Sequence, residues 1–198
     1  MSLRLVLLDS GGANLGSVQA AFARLGVDAP VSSDAALIRR ATHVVLPGVG
    51  AAGSAMAHLR ANGLDRLIPQ LTQPLLGICI GMQLLFERSE EDDSECLGLL
   101  PGAVRRLDEG QGVRVPHMGW NRLKEKTPHA LVDGLAEAWA YFVHSFAVPS
   151  SPLALAEATH GQTFAAVVGD GRVFGAQFHP ERSGRAGARF LQNFLELT

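Results

Sequence analysis

The chain has 198 residues, 47% of them hydrophobic, which is enough to bury one sizeable core. A net charge of −2 and a pI near 6.4 offer no basic surface for nucleic acid, and no apolar run approaches the length of a membrane span. Leu5-Val6-Leu7-Leu8 is too short for a signal-peptide core, and two cysteines in unlike surroundings argue against a disulfide framework, so the expected location is the cytoplasm.

Strand-like apolar runs alternate with helical patterns through the first half. Leu3 to Asp9 reads as a strand, Asn14 to Leu25 as a helix, and Thr42 to Leu46 as a strand. Ala52 to Leu71 then reads as a helix broken near Gly63, Leu75 to Ile78 as a short buried strand, and Met82 to Glu87 as a further helix. Such alternation predicts a parallel sheet with helices on both faces. In the second half, short strands are expected at Val113 to Val115, Tyr141 to Val143, Leu153 to Thr159, Gln162 to Val168 and Arg172 to Gln177. Gly169-Asp170-Gly171 supplies a hairpin turn between the last two. A final helix from Ser183 to Leu197 aligns Ala186, Phe190, Phe194 and Leu197 on one face. No repeat, linker or low-complexity tract interrupts the chain, so residues 1–198 read as one α/β domain with a mixed, mostly parallel sheet.

Two segments carry chemistry. Gly77-Ile78-Cys79-Ile80-Gly81 places a cysteine at a sharp turn between a strand and a helix, exposed to substrate at the helix's positive end, which favours a negatively charged sulfur. The same turn aims the Ile80 amide at any oxyanion formed beside that sulfur. Far downstream, His179-Pro180-Glu181 offers a base for the nucleophile and an acid to fix the base's tautomer, because residues i and i+2 of an extended segment share a side. Cys96 follows an acidic run, Ser89 to Glu95, with no base pattern nearby, and reads as a small hydrophobe. Neither His43, His58 nor His160 has a second ligand at zinc spacing, so no metal is expected. His117 and His144 read as structural histidines.

These segments resemble the class I, triad-type glutamine amidotransferases, whose elbow reads G-x-C-x-G-x-Q and whose second motif reads F-H-P-E. Both stand here unbroken, as Gly77 to Gln83 and Phe178 to Glu181, and Val44-Val45-Leu46-Pro47-Gly48-Val49-Gly50 is similar to the family's oxyanion turn. Val115 to Asn121, Tyr141 to Ser145 and Leu84 to Glu90 further resemble the glutaminase subunits of imidazole glycerol phosphate synthases. Ser10 and Ala13 depart from the usual D-Y-G-x-G-N near the start, and Ala51-Ala52-Gly53 lacks the aromatic residue that commonly follows the oxyanion turn.

The resemblance implies a three-layer, single-domain fold and glutamine hydrolysis in two acyl-transfer steps, without a cofactor. Cys79 is then the nucleophile, His179 the acid–base and Glu181 its orienting partner. The amides of Val49 and Ile80 form the oxyanion hole, and Gly48 and Gly50 flank the first of them. Gln83 holds the substrate's α-amino or carboxylate group, and the backbone of Ser145 and Phe146 holds its other end. The implied partner is a cyclase subunit, a (βα)₈ barrel that receives the ammonia in a heterodimer. Arg182 and Asn14 then face that partner or solvent, and Met118 and Trp120 fit either core packing or the same interface. Rival readings are a glutaminase subunit serving anthranilate or aminodeoxychorismate synthesis, a stand-alone cysteine hydrolase, and a catalytically silent binding module.

Overall fold

The computed structural model describes residues 3–12, 14–110 and 112–198; Ala13, one of the two departures noted near the start, lies outside them. The first half runs β1 (Leu5–Leu8), α1 (Leu15–Ala23), β2 (Val31–Ser32), α2 (Ala35–Arg40), β3 (His43–Gly48), α3 (Ala52–Ala61), α4 (Leu64–Leu67), β4 (Leu75–Cys79) and α5 (Ile80–Gln83). The second half adds β5 (Arg88–Ser89), β6 (Ser94–Glu95), β7 (Ala103–Arg106), β8 (His117–Arg122) and β9 (Lys124–Glu125). It continues with β10 (Trp139–His144), β11 (Phe146–Ala147), β12 (Ala154–His160), β13 (Gln162–Asp170), β14 (Val173–Ala176) and α6 (Gly184–Leu195).

Eight strands form the main sheet in the order β2-β1-β3-β4-β14-β13-β12-β9. The first five run parallel and the last three alternate, the mixed and mostly parallel arrangement expected. Every residue of β1, β3 and β4 is buried, as strands covered on both faces must be. The chain steps from β1 to β2 one way and then through β3 to β4 the other. Right-handed crossovers therefore place α1 on one face and α2 and α3 on the opposite one. Helix α6 presses Phe190 and Phe194 inward, with Phe190 edge-on to Phe178 at 5.1 Å. Two smaller sheets, β10-β8 and β11-β7-β5-β6, flank the carboxyl side.

Several boundaries differ from the sequence expectation. Val113 to Val115 is not a strand; Pro116 cannot donate to a ladder, and pairing begins at His117, in β8. The last hairpin turns at Gly171-Arg172, one residue later than expected, with Asp170 still paired to Val173. Gly169 stays in the strand, where an added Cβ would come within 2.8 Å of Leu155. The helix after the elbow is a single turn, Ile80–Gln83, so dipole support for the cysteine is confined to its first amides. The break near Gly63 is present, at a φ of +69° between α3 and α4. The pair β2 and α2 was not expected, because two strand residues carry no period; Asp34 starts α2 by accepting from the Ala36 amide at 2.7 Å. Leu197, placed on the last helix by its spacing, lies beyond that helix and packs against the core from the tail.

Candidate active site

Four neighbouring parallel strands, β1, β3, β4 and β14, end on one side of the sheet, and the chain just beyond each end enters one cavity. Asn14 follows β1, Val49 and Gly50 follow β3, Cys79 closes β4, and His179 follows β14. Crevices at the carboxyl ends of such strands are where open α/β sheets bind ligands. The cavity holds about 490 Å³, within the range that suits a small polar substrate.

At the elbow, Cys79 has φ 54° and ψ −112°, a conformation that costs a non-glycine residue roughly 1–3 kcal/mol. The turn is held by backbone contact that tolerates no side chains. A Cβ on Gly77 would come within 2.5 Å of the Gly81 oxygen, and one on Gly48 within 2.7 Å of the Gly81 nitrogen. A side chain on Gly81 would run into the carbonyl of Leu46. The glycines of the two motifs therefore let β3, β4 and the elbow interlock, which fixes where the sulfur sits. Register agrees, since Gly48 is the parallel partner of Cys79.

His179 reaches the same point from β14. Its amide donates to the Tyr141 carbonyl at 2.9 Å, and its carbonyl accepts from the Ser183 hydroxyl at 2.7 Å. The segment Pro180–Arg182 is a 3₁₀ turn rather than the extended strand expected, yet His179 Nδ1 lies 2.8 Å from Glu181 Oε1. A carboxylate only accepts, so Nδ1 donates to it, and Nε2 is the nitrogen left to exchange a proton at the Cys79 sulfur. That Nε2 is buried without a partner among the described residues. Burial disfavours the His179 imidazolium, but Cys79 and Glu181 outweigh it and raise its pKa to about 10. Burial likewise pushes Glu181 upward, and its bonds to His179 and Asn14 more than reverse this, holding the carboxyl below its ordinary range. The Asn14 amide donates to Glu181 Oε1 at 2.5 Å.

Val143 to Phe146 form a further wall of the cavity, with the Val143 carbonyl 3.9 Å from the Cys79 sulfur. Gln83 donates through Nε2 to the Phe146 carbonyl at 2.8 Å and to Gln177 Oε1 at 3.0 Å. Its own Oε1 is buried without a partner among the described residues, so the side chain can accept a hydrogen bond from a ligand but has no donor to offer. Arg182 stacks over the Tyr141 ring at 4.8 Å where the cavity opens. Cys96, by contrast, is pushed up to about 11 by burial and stays a thiol.

The sequence profile of class-I glutamine amidotransferases matches residues 6–197. The chain belongs to this family. It is 57% identical over 193 residues to the imidazole glycerol phosphate synthase subunit HisH of Xanthomonas axonopodis pv. citri, covering 97% of this chain and 96% of that one. The subunit of the same name from Xylella fastidiosa is 55% identical over 192 residues, 96% of each chain. Among solved structures, a glutamine amidotransferase superposes with a TM-score of 0.75 at 21% identity, covering 96% of this chain and 97% of the other. A second, from Thermotoga maritima, gives 0.64 at 18% identity over 98% and 83%. At such identities these structures speak for the fold alone, and it is the class I amidotransferase fold.

Of the residues expected at an amidotransferase site, Cys79, His179, Val49, Gly50, Ile80, Gln83, Ser145 and Phe146 line the cavity together, and Glu181 stands directly behind His179. Gly48 lies just outside, against the elbow. Asn14 and Arg182 line the cavity too, so neither is plain solvated surface, and Asn14 is bonded to Glu181. Met118 and Trp120 are not core: they are 65% and 52% exposed on the outward face of β8. Glu91 escaped sequence reasoning. It sits in an acidic run that looks solvated, yet its carboxylate accepts from the Ala52 amide at 2.8 Å and lines the cavity. Burial raises its pKa. His144 was read as structural and also lines the cavity. Among the described residues no cluster of side chains could hold a metal ion.

Proposed function

We propose that the chain is the glutaminase subunit of an imidazole glycerol phosphate synthase. In this reading it hydrolyses glutamine and passes the ammonia to a cyclase subunit, which makes imidazole glycerol phosphate and aminoimidazole carboxamide ribonucleotide in histidine biosynthesis. The observation that carries the reaction is the convergence of Cys79, the His179–Glu181 pair and the Val49 turn on one cavity. The choice of acceptor is supported by full-length identity above half to relatives of that name.

The Cys79 sulfur attacks the side-chain carboxamide carbon, and the amides of Val49 and Ile80 receive the oxyanion. His179 Nε2 takes the thiol proton and delivers it to the departing nitrogen, releasing ammonia and leaving a thioester. His179 then draws a proton from water, which attacks the thioester; the C–S bond breaks, glutamate is freed, and the Cys79 sulfur leaves as a thiolate beside the imidazolium that can return its proton. Glu181 holds the imidazole and stabilises its charged form in both steps. Glutamine's α-ammonium needs acceptors. Gln83 Oε1 is unpartnered, and Glu91 is the one carboxylate lining the cavity among the described residues. The backbone of Ser145 and Phe146 serves the substrate's other end.

Ammonia set free in water would be protonated and lost, so the acceptor must sit on the cavity mouth. A (βα)₈ cyclase barrel in a heterodimer fits a surface already apolar there. Of five exposed large hydrophobic side chains among the described residues, three, Met118, Trp120 and Trp139, lie on β8 and β10. Trp120 packs edge-on to Tyr141 at 5.9 Å, and Tyr141 carries Arg182, so the stripe runs to the opening. Mixing the purified chain with a cyclase subunit and its nucleotide ligand should give glutamate release far above that of either chain alone. No stimulation by the cyclase, with stimulation by another acceptor enzyme, would reassign the partner.

A further inference from the structure

Strand β8 has two faces, and only the outward one bears on docking. Inward, it carries His117 and Asn121, and from them a chain of hydrogen bonds leads into the cavity wall. Asn121 Nδ2 lies 2.8 Å from the Thr159 carbonyl and 3.3 Å from His117 Nε2. His117 Nδ1 lies 3.0 Å from His144 Nε2, its strand partner on β10. His144 Nδ1 lies 2.8 Å from the Phe146 carbonyl.

The ends of this chain fix every proton in it. A carbonyl can only accept, so His144 Nδ1 must carry the hydrogen, and in a neutral ring Nε2 is then an acceptor. His117 Nδ1 must therefore donate to it, which leaves His117 Nε2 to accept from the Asn121 amide. That amide nitrogen is itself oriented by the Thr159 carbonyl. Both rings must be neutral, since a proton added to either would put two donors face to face. Both are buried, and His160 stacks on His117 at 4.1 Å while bonding the Arg114 carbonyl, which shuts out water from that side. Burial accordingly depresses His117 to about 4 and His144 to about 3.

The Phe146 carbonyl receives a second hydrogen bond from Gln83 Nε2. Both its lone pairs are engaged, so the Phe146 peptide cannot rotate without breaking two hydrogen bonds. We propose that Asn121, His117 and His144 form a one-directional relay that positions the Phe146 carbonyl, and with it the Ser145–Phe146 wall that binds glutamine. His117 and Asn121 are positioning residues, acting through His144. The proposal rests on the glutaminase reading above only for what the wall binds; the relay itself is a property of the folded chain.

Two measurements test it. Long-range nitrogen–proton NMR of the histidine rings at neutral pH, without glutamine, should show both His117 and His144 neutral and protonated at Nδ1. Either ring found as the Nε2–H tautomer, or charged, overturns the relay. Steady-state glutamate release by the complex with the cyclase subunit then reads its effect. His117→Leu should raise the KM for glutamine about tenfold, the loss expected of one hydrogen bond, and lower kcat by less. His117→Asn, which keeps a donor at the Nδ1 position, should recover KM to within about twofold of the parent. An unchanged KM in the leucine variant, or no recovery with asparagine, overturns the positioning role even where both variants fold. Because the tautomers are read without substrate, their failure counts against the relay alone. Correct tautomers in a complex that never turns over glutamine would uphold the relay and overturn the glutaminase reading.

Discussion

Replacing Asn14 separates two roles for a residue at the edge of the site. Its amide donates to Glu181 Oε1 at 2.5 Å, the same oxygen that His179 Nδ1 approaches at 2.8 Å, while Glu181 Oε2 is buried without a partner among the described residues. In Asn14→Ala the buried carboxylate loses one of its two side-chain hydrogen bonds and keeps the one to His179. A hydrogen bond to a charged group contributes about 1.5–3 kcal/mol, but part of this is recovered where water enters the space left by the amide. About 1.4 kcal/mol reaching the transition state corresponds to a loss of about tenfold in kcat/KM. The bond to Asn14 is also one cause of the lowered Glu181 pKa. A carboxylate with a depressed pKa stays ionised to lower pH, so removing the donor should move the acid limb of the kcat/KM profile to higher pH. Asn14→Asp should be worse than alanine, because it sets a second carboxylate against the first. The assay is glutamate release against pH with the cyclase subunit saturating. Wild-type kcat/KM and an unmoved acid limb in Asn14→Ala, together with weakened binding of the cyclase, would refute the reasoning and return Asn14 to the interface.

Cys79→Ser should abolish glutamate release while the complex still makes its product from added ammonium salts; residual glutaminase activity would remove Cys79 from the nucleophile's place. Glu181→Gln should cost less than His179→Ala, since Glu181 orients and supports charge while His179 transfers protons, and equal total losses in folded variants would give Glu181 a more direct part. Folding stability should fall as pH drops from about 6.5 towards 4, followed as the urea midpoint. His117 and His144 have folded pKa values of about 4 and about 3, below the unfolded value near 6.5, so the unfolded chain takes up protons first in that window. The loss is on the order of a few kcal/mol, His43 adds to it in the same direction, and His179, raised instead, contributes nothing to the slope there. A flat midpoint between pH 6.5 and 4.5 would show the pair to be charged or solvated.

What the sequence disclosed and what it hid divide along one physical line. The elbow and the His-Pro-Glu segment were legible because each is a local device: glycines beside a cysteine announce a close backbone approach, and a histidine two residues before a glutamate reaches it in an extended segment and also in the tight turn found here. Gln83 was legible for the same reason, one turn beyond the nucleophile. Asn14 and Glu181 are 167 positions apart, and His117 and His144 are 27 apart, so no local pattern links either pair. Glu91 was hidden by its company, an acidic run whose composition speaks for solvent, although one carboxylate of that run turns inward to the start of α3. The strand at Val113 to Val115 was misplaced because periodicity registers apolar residues and not the missing donor of Pro116. Strand order is the remaining unknown that a sequence withholds. The last strand of the sheet in chain order, β14, slots in beside β4, which brings His179 next to Cys79. β1 lies on the far side of β3, which brings Asn14 to the back of Glu181. The two motifs name Cys79, His179 and Glu181, but the neighbours that orient these side chains are assigned by the sheet.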